Sequence, residues 1–270
     1  MARAKKSESK ELANWDEDLA KYAQEAADKE SSSGGGNYMS TKNGNFTYKG
    51  DDIPSPFPTI VLDAVFDNAY YPDAYDDDNP ASPICFAIGD DEKTLQPHPD
   101  CSDPQSDFCE GCWANKYKSG DNGKGKACKN QRRLALVAAD VLDDIDENAE
   151  VAMLKVSPTS LKFWGGYVKK ITQVLKRPPF AVIANVSLEP EKSYHVLQFE
   201  IGGKVPNNML GTMRQLSESC QEDLHAGYPA FEETEEATTS KRRPASKKKA
   251  VTKKKAAPKK KAVVKKKRKF

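Results

Sequence analysis

Residues 151–201 read VAMLKVSPTSLKFWGGYVKKITQVLKRPPFAVIANVSLEPEKSYHVLQFEI. The order of elements in this stretch decides the fold. Val151 to Val156 is a short apolar run that reads as a strand. Pro158 to Lys176 reads as a helix, because Leu161, Trp164, Val168, Ile171 and Leu175 recur at helical spacing. Ser157 is its candidate N-cap, and Pro158 suits the first turn. Pro178 and Pro179 stop it. Phe180 to Leu188 and Tyr194 to Ile201 then form a hairpin across Glu189 to Ser193.

Upstream lie further strand candidates. Phe46 to Lys49 follows an Asn43-Gly44 turn, and Thr59 to Phe66 (TIVLDAVF) is rich in β-branched residues. Ile84 to Ile88 and Arg133 to Ala139 (RLALVAA) complete the set, and Pro206 to Ala226 is a final helix. Several strands, one helix and then a hairpin predict a mainly β, α+β domain over residues 37–228. The closest match is an OB-like five-stranded barrel, with the helix between its third and fourth strands and further helices flanking it.

Between Ile88 and Arg133 the chain inserts a segment of different character. Residues 98–133 read HPDCSDPQSDFCEGCWANKYKSGDNGKGKACKNQRR. Cys109 and Cys112 are a C-x2-C pair, and Cys128 follows after fifteen intervening residues. A C-x2-C turn lets two thiolates reach one tetrahedral ion, and a structural zinc site needs four such donors. The segment has too few apolar residues to hold itself by burial, and a metal supplies that free energy. Cys109, Cys112 and Cys128 are three donors for one structural Zn²⁺; the fourth is His98 or Cys101. Lys116, Lys118, Lys124, Lys126, Lys129, Arg132 and Arg133 are interleaved with Trp113 and Tyr117, and Asp121 is the only acid from Trp113 onward. This is a zinc-binding loop carrying a cationic, aromatic surface. Lys162, Lys169 and Lys170 give the helix a basic side as well.

The net charge of +2 hides a division. Residues 241–270 hold 17 Lys or Arg and no acid, which leaves residues 1–240 at −15. The tail repeats KKKAVT, KKKAAP, KKKAVV and KKKRKF, has no material for a core, and is expected to be disordered across residues 229–270. Such a segment binds phosphates regardless of base sequence. Residues 1–36 are polar: Leu12, Trp15, Leu19, Tyr22 and Ala26 predict a short amphipathic helix, and Ser31 to Gly36 reads as a flexible linker. That helix can dock on the folded body or on a second copy, making a homo-oligomer.

Cys85 lies in the apolar PICFAI run and reads as a small core residue; Cys220 reads as structural or free. Six cysteines without an opening signal segment fit a reducing, cytoplasmic compartment, and no apolar run is long enough to span a membrane. Asp73, Asp76, Asp77 and Asp78 beside Tyr70, Tyr71 and Tyr75 lack calcium-loop spacing and read as a solvated loop. No P-loop, G-x-S-x-G, H-E-x-x-H or paired-carboxylate motif is present, so the chain is not expected to be an enzyme.

The runs PICFAIGDDEKTLQPHPD, QSDFCEGCWANKYKSGDNGKGKACKNQRRLALV and SPTSLKFWGGYVKKI resemble bacteriophage single-stranded DNA-binding proteins over roughly residues 37–205. The resemblance implies a zinc-stabilised, OB-like DNA-binding domain acting in DNA replication or recombination. It implies His98, Cys109, Cys112 and Cys128 as ligands, the host cytoplasm as location, and replication or recombination proteins as partners. The lysine tail departs from the acidic tail of such proteins: the short acidic run Glu232 to Glu236 is followed by basic residues. Two rival readings remain, a DNA-condensing, histone-like packaging protein acting through its tail, and a structural or assembly protein whose acidic body binds other subunits.

Overall fold

The 14-residue strand β3, Phe57–Tyr70, is the element on which the others assemble. It covers the predicted Thr59–Phe66 strand and extends it at both ends. Its β-branched and aromatic residues suit a pleated surface, and most are buried on both faces, so no polar alternation marks it. A register shift between Val61 and Asp63 makes Leu62 an extra residue, a β-bulge. The Asp63 carboxylate accepts hydrogen bonds from the Ala64 N–H (2.7 Å) and Gln221 Nε2 (2.8 Å).

The computed structural model describes residues 22, 37–73, 81–140, 142, 145–146, 149–191 and 194–228. Except for Tyr22, the predicted N-terminal helix and the linker lie outside the described residues. So do Tyr75, Asp76, Asp77 and Asp78 of the acidic loop, and the lysine tail. No helix among the described residues is long and apolar enough to cross a membrane.

β1 (Phe46–Tyr48) and β2 (Asp51–Ile53) form a small hairpin. The main sheet holds β3, β4 (Cys85–Gly89), β5 (Cys128–Ala138), β6 (Ala152–Val156), β7 (Val182–Glu191) and β8 (Tyr194–Lys204). All neighbours are antiparallel, in the order β6-β5-β3-β7-β8. β5 runs along one edge of β3. On the other edge β7 pairs with Phe57 to Ile60 and β4 with Phe66 to Tyr70. Where the sequence predicts a five-stranded barrel, the sheet has six strands and is not closed. The outer edge of β6 is bridged by residues 37–39, with Met39 N–H donating to the Met153 carbonyl at 2.8 Å. On β8, the Leu197 N–H donates to Ser160 Oγ at 3.0 Å.

That contact also revises a predicted cap. Helix α1 is Leu161–Lys170 and continues as a π-helical turn, Ile171–Leu175. Neither Ser157 nor Ser160 caps it through its side chain: the Ser157 and Ser160 hydroxyls lie 3.1 Å apart, and Ser160 Oγ serves β8 instead. The predicted C-terminal helix breaks at Cys220 into α2 (Leu210–Ser219) and α3 (Gln221–His225).

The sheet has a core on each face. One packs Phe57, Val61, Leu134, Leu136, Leu154 and Val156 against Trp164, Tyr167 and Ile171 of α1 and its extension. The other packs Ile60, Val65, Ala135, Val137 and Met153 against Met213, Leu216 and Leu224. Each fully buried large apolar side chain contributes about 1.5–3 kcal/mol. Trp164 is therefore a core residue, as the helical spacing predicts, and Tyr167, outside that spacing, is buried beside it.

Candidate metal centre and nucleic-acid surface

The end of β3 sets the site. Cys85 on β4 and Cys128 on β5 both pair with Tyr70, from opposite edges. Directly paired residues share a face of a sheet, so both thiols lie on the face of Tyr70 and, two residues back, Asn68. The insertion returns over that face. Its C-x2-C pair is a turn in which Cys112 N–H donates to the Cys109 carbonyl (3.4 Å), and Gly111 takes φ +82°, a conformation glycine adopts freely. The turn is pinned from outside: Cys109 N–H donates to the Leu95 carbonyl at 2.9 Å, and Asn115 Nδ2 donates to the Cys109 carbonyl at 3.0 Å.

Cys85, Cys109, Cys112 and Cys128 line one cavity of about 20 Å³, together with Asn68, Gln105 and Asn115. Burial pushes the Cys109 thiol up to about 11 and Cys128 up to about 12, and the neighbouring cysteines push both the same way. Burial raises Cys85 too, with Cys101 and Cys112 adding to it. Four thiols this close ionise together only if a cation neutralises them. Among the described residues, no three His, Cys, Asp or Glu side chains stand at coordinating distance around one point. Filling the site therefore requires the sulfurs to draw inward.

The structure places both expected fourth donors, His98 and Cys101, outside the lining of this cavity. Phe86 follows Cys85 and pairs with Ala69, so its ring lies on the opposite face of the sheet. The His98 ring stacks on Phe86, with centroids 4.9 Å apart. His98 is thus separated from the thiols by the sheet; its Nδ1 accepts from Asp100 N–H at 3.2 Å instead. Cys101 sits at the free edge of β4, where Sγ accepts from the Phe86 N–H (3.1 Å) and donates to its carbonyl (3.0 Å). Cys85, expected as a core residue, lines the cavity. Spacing cannot reveal it, since only the common pairing with Tyr70 brings it to Cys128.

The expected nucleic-acid contacts divide. Trp113 is 47% exposed and Tyr117 74% exposed. Trp113 packs edge-on against Tyr70 at 5.4 Å, and its Nε1 donates to Gln105 Oε1 at 3.2 Å, so one rim is fixed. Lys116, Lys118, Lys124 and Lys129 are exposed. Phe108, also exposed, adds a third ring that the sequence reading passed over. Lys126 is half-buried and donates to Asn115 Oδ1 at 2.8 Å. Arg132 lies over the Phe66 ring, 3.5 Å from its centroid. Lys162, Lys169 and Lys170 are exposed on α1.

Arg133 does not belong with these. Its side chain is sealed from solvent, on the face opposite the thiols, where it pairs with Asp67 and donates to the carbonyls of Leu224 (3.1 Å) and Ala226 (2.6 Å). It holds the C-terminal end of the domain onto the sheet and cannot reach a nucleic acid. Sequence adjacency to Arg132 gave the wrong expectation because successive strand residues point to opposite faces.

Comparison of the chain with protein-family models, with curated proteins and with solved structures finds no match.

Proposed function

We propose that this chain is a non-enzymatic, sequence-independent nucleic-acid-binding protein that prefers single strands, on an OB-like scaffold with a metal-pinned loop. The observation that carries the reading is the loop surface. Two exposed rings, Trp113 and Tyr117, stand among three exposed loop lysines, Lys116, Lys118 and Lys124, and none of these lysines forms an ion pair among the described residues. Exposed rings offer unpaired bases a stacking platform, and cations between them track the backbone.

The strand order supports the scaffold. With β3 as first strand, β5 and β6 follow it on one side; α1 intervenes; β7 returns to the other edge of β3, and β8 pairs with β7. This is the connectivity of an OB barrel left open between its third and fifth strands. The metal loop then occupies the connection between the first two strands, one of the loops through which OB domains grip oligonucleotides. The resemblance places the activity in phage DNA replication or recombination, in the host cytoplasm beside replication or recombination proteins.

Titration of fluorescent unpaired and duplex oligonucleotides at several salt concentrations tests the reading, with the full chain and with a chain ending at residue 240. Tighter binding of the unpaired strand by both forms is the expected result. Equal or weaker binding of the single strand by the shortened chain sinks the preference. The second reading is a DNA-condensing protein acting through the tail, favoured by 17 basic residues without an acid in residues 241–270. It requires that removal of the tail abolish binding and that duplex be bound at least as well.

A further inference from the structure

We propose that Cys85, Cys109, Cys112 and Cys128 hold one zinc ion as a tetrathiolate, with Asn68 donating an N–H to the Cys109 sulfur and with His98 outside the site. This deepens the reading of a metal-pinned loop and rests on it.

Three observations converge. The four thiols line a single cavity whose volume, about 20 Å³, suits one small occupant. The cavity holds an unpartnered donor: Asn68 is 2% exposed, its Oδ1 accepts from Asn130 Nδ2 at 2.8 Å, and its buried Nδ2 has no partner. A buried N–H left unpaired costs roughly 1–3 kcal/mol. Asn68 stands beside Cys109 and favours its thiolate, so a metal-bound thiolate there is a stronger acceptor for its N–H than a thiol. The remaining donors are otherwise engaged. His98 is stacked on Phe86 across the sheet, and Cys101, beside Cys85 but outside the cavity lining, is held by the Phe86 main chain.

On binding, each of the four thiols gives its proton to solvent and the sulfur lone pair to Zn²⁺. The resulting centre carries a net charge of −2, offset by the Asn68 N–H and by Lys126, whose charge already favours the Cys128 thiolate. Because Cys85 and Cys128 lie on β4 and β5, the ion ties both strands to the insertion.

X-ray absorption of the zinc-loaded full chain tests the assignment without any variant. Four sulfur neighbours at about 2.3 Å and no nitrogen are expected. Metal content and chelator competition follow on variants. His98→Ala and Cys101→Ser retain one zinc per chain at wild-type affinity, and Cys85→Ser loses it. Asn68→Ala weakens metal binding roughly 10–100-fold, as loss of an outer partner does. A shell of three sulfurs and one nitrogen, with zinc lost in His98→Ala, overturns the assignment but leaves the metal-pinned loop standing. A full chain that takes up neither zinc nor cobalt overturns both.

Discussion

Asp67 and Arg133 form an ion pair closed off from water, with Nη2 3.3 Å from Oδ2 and neither side chain more than 1% exposed. The carboxylate also accepts the Tyr228 hydroxyl at 2.9 Å, while the guanidinium holds two main-chain carbonyls of the C-terminal segment. Every strong partner in this cluster is used, which lets it survive burial.

Breaking one side leaves a buried charge without its counter-charge. Asp67→Asn and Arg133→Met are each expected to destabilise the domain by about 3–5 kcal/mol. Asp67→Leu combined with Arg133→Met is expected to recover part of that loss. Urea unfolding at neutral pH measures all three. Single variants within about 1 kcal/mol of the wild type would show the pair to be dispensable.

Lys155 adds a pH dependence to the same cluster. Burial lowers it from the usual lysine range to about 8, against the opposing pull of Asp67, while its ammonium lies 4.0 Å from the centroid of the Tyr228 ring. Between about pH 8 and pH 10.5 the unfolded chain binds a proton at this site that the folded chain has shed. Lys155 by itself therefore contributes a rise in stability with pH across that window, while the Cys109, Cys128 and Cys220 thiols, raised by burial, pull stability down above the ordinary thiol range. Tyr38, raised to about 12 by burial, and Tyr228, raised for the same reason, turn the trend downward above the ordinary tyrosine range. The difference in denaturant midpoint between the wild type and Lys155→Met isolates this site: it should shift in favour of the wild type from about pH 8 to pH 10, and a difference that stays constant over that range contradicts the assignment.

The two faces of β3 also mark what the sequence made legible. The strand–helix–hairpin order over residues 151–201 was readable because alternation, helical spacing and a proline stop are local signals. That Cys109 and Cys112 share one turn was readable because a C-x2-C pair is local too. Cys85, Asn68 and Arg133 owe their roles to which face of which strand they occupy. That depends on a pairing register between segments about sixty residues apart, such as Asn68 with Asn130. A run such as FDNAY gives no hint that Asp67 serves one face and Asn68 the other. The open edge of β8 was hidden for the same reason, since its Leu197 N–H is met by a serine 37 residues earlier.

The loop surface makes a prediction separable from folding. Trp113 and Tyr117 are largely exposed, so their truncation should leave the unfolding midpoint nearly unchanged. Trp113→Ala and Tyr117→Ala are each expected to weaken binding of oligothymidylate by about 1–3 kcal/mol, the usual worth of one base–ring stack. Trp164→Ala, by contrast, removes a core side chain and should cost about 3–5 kcal/mol of stability. Oligonucleotide affinity unchanged in the double variant Trp113→Ala/Tyr117→Ala would remove the stacking surface from the reading.

The salt dependence of binding separates the loop from the tail. Each phosphate neutralised on a single strand contributes about −0.7 to the slope of log affinity against log salt. Lys116, Lys118, Lys124 and Lys129 replaced together by glutamine should make the slope shallower by up to about 3 in a chain ending at residue 240. The full chain should start from a steeper slope, because residues 241–270 add 17 basic groups. Residues 1–240, of charge −15, compete with phosphate for those groups through their acidic residues. Truncation is therefore expected to flatten the slope by less than 17 contacts would give, and to weaken duplex binding more than single-strand binding, since the tail recognises charge alone. Equal loss for both strands on truncation would mean that the tail has no bias toward duplex.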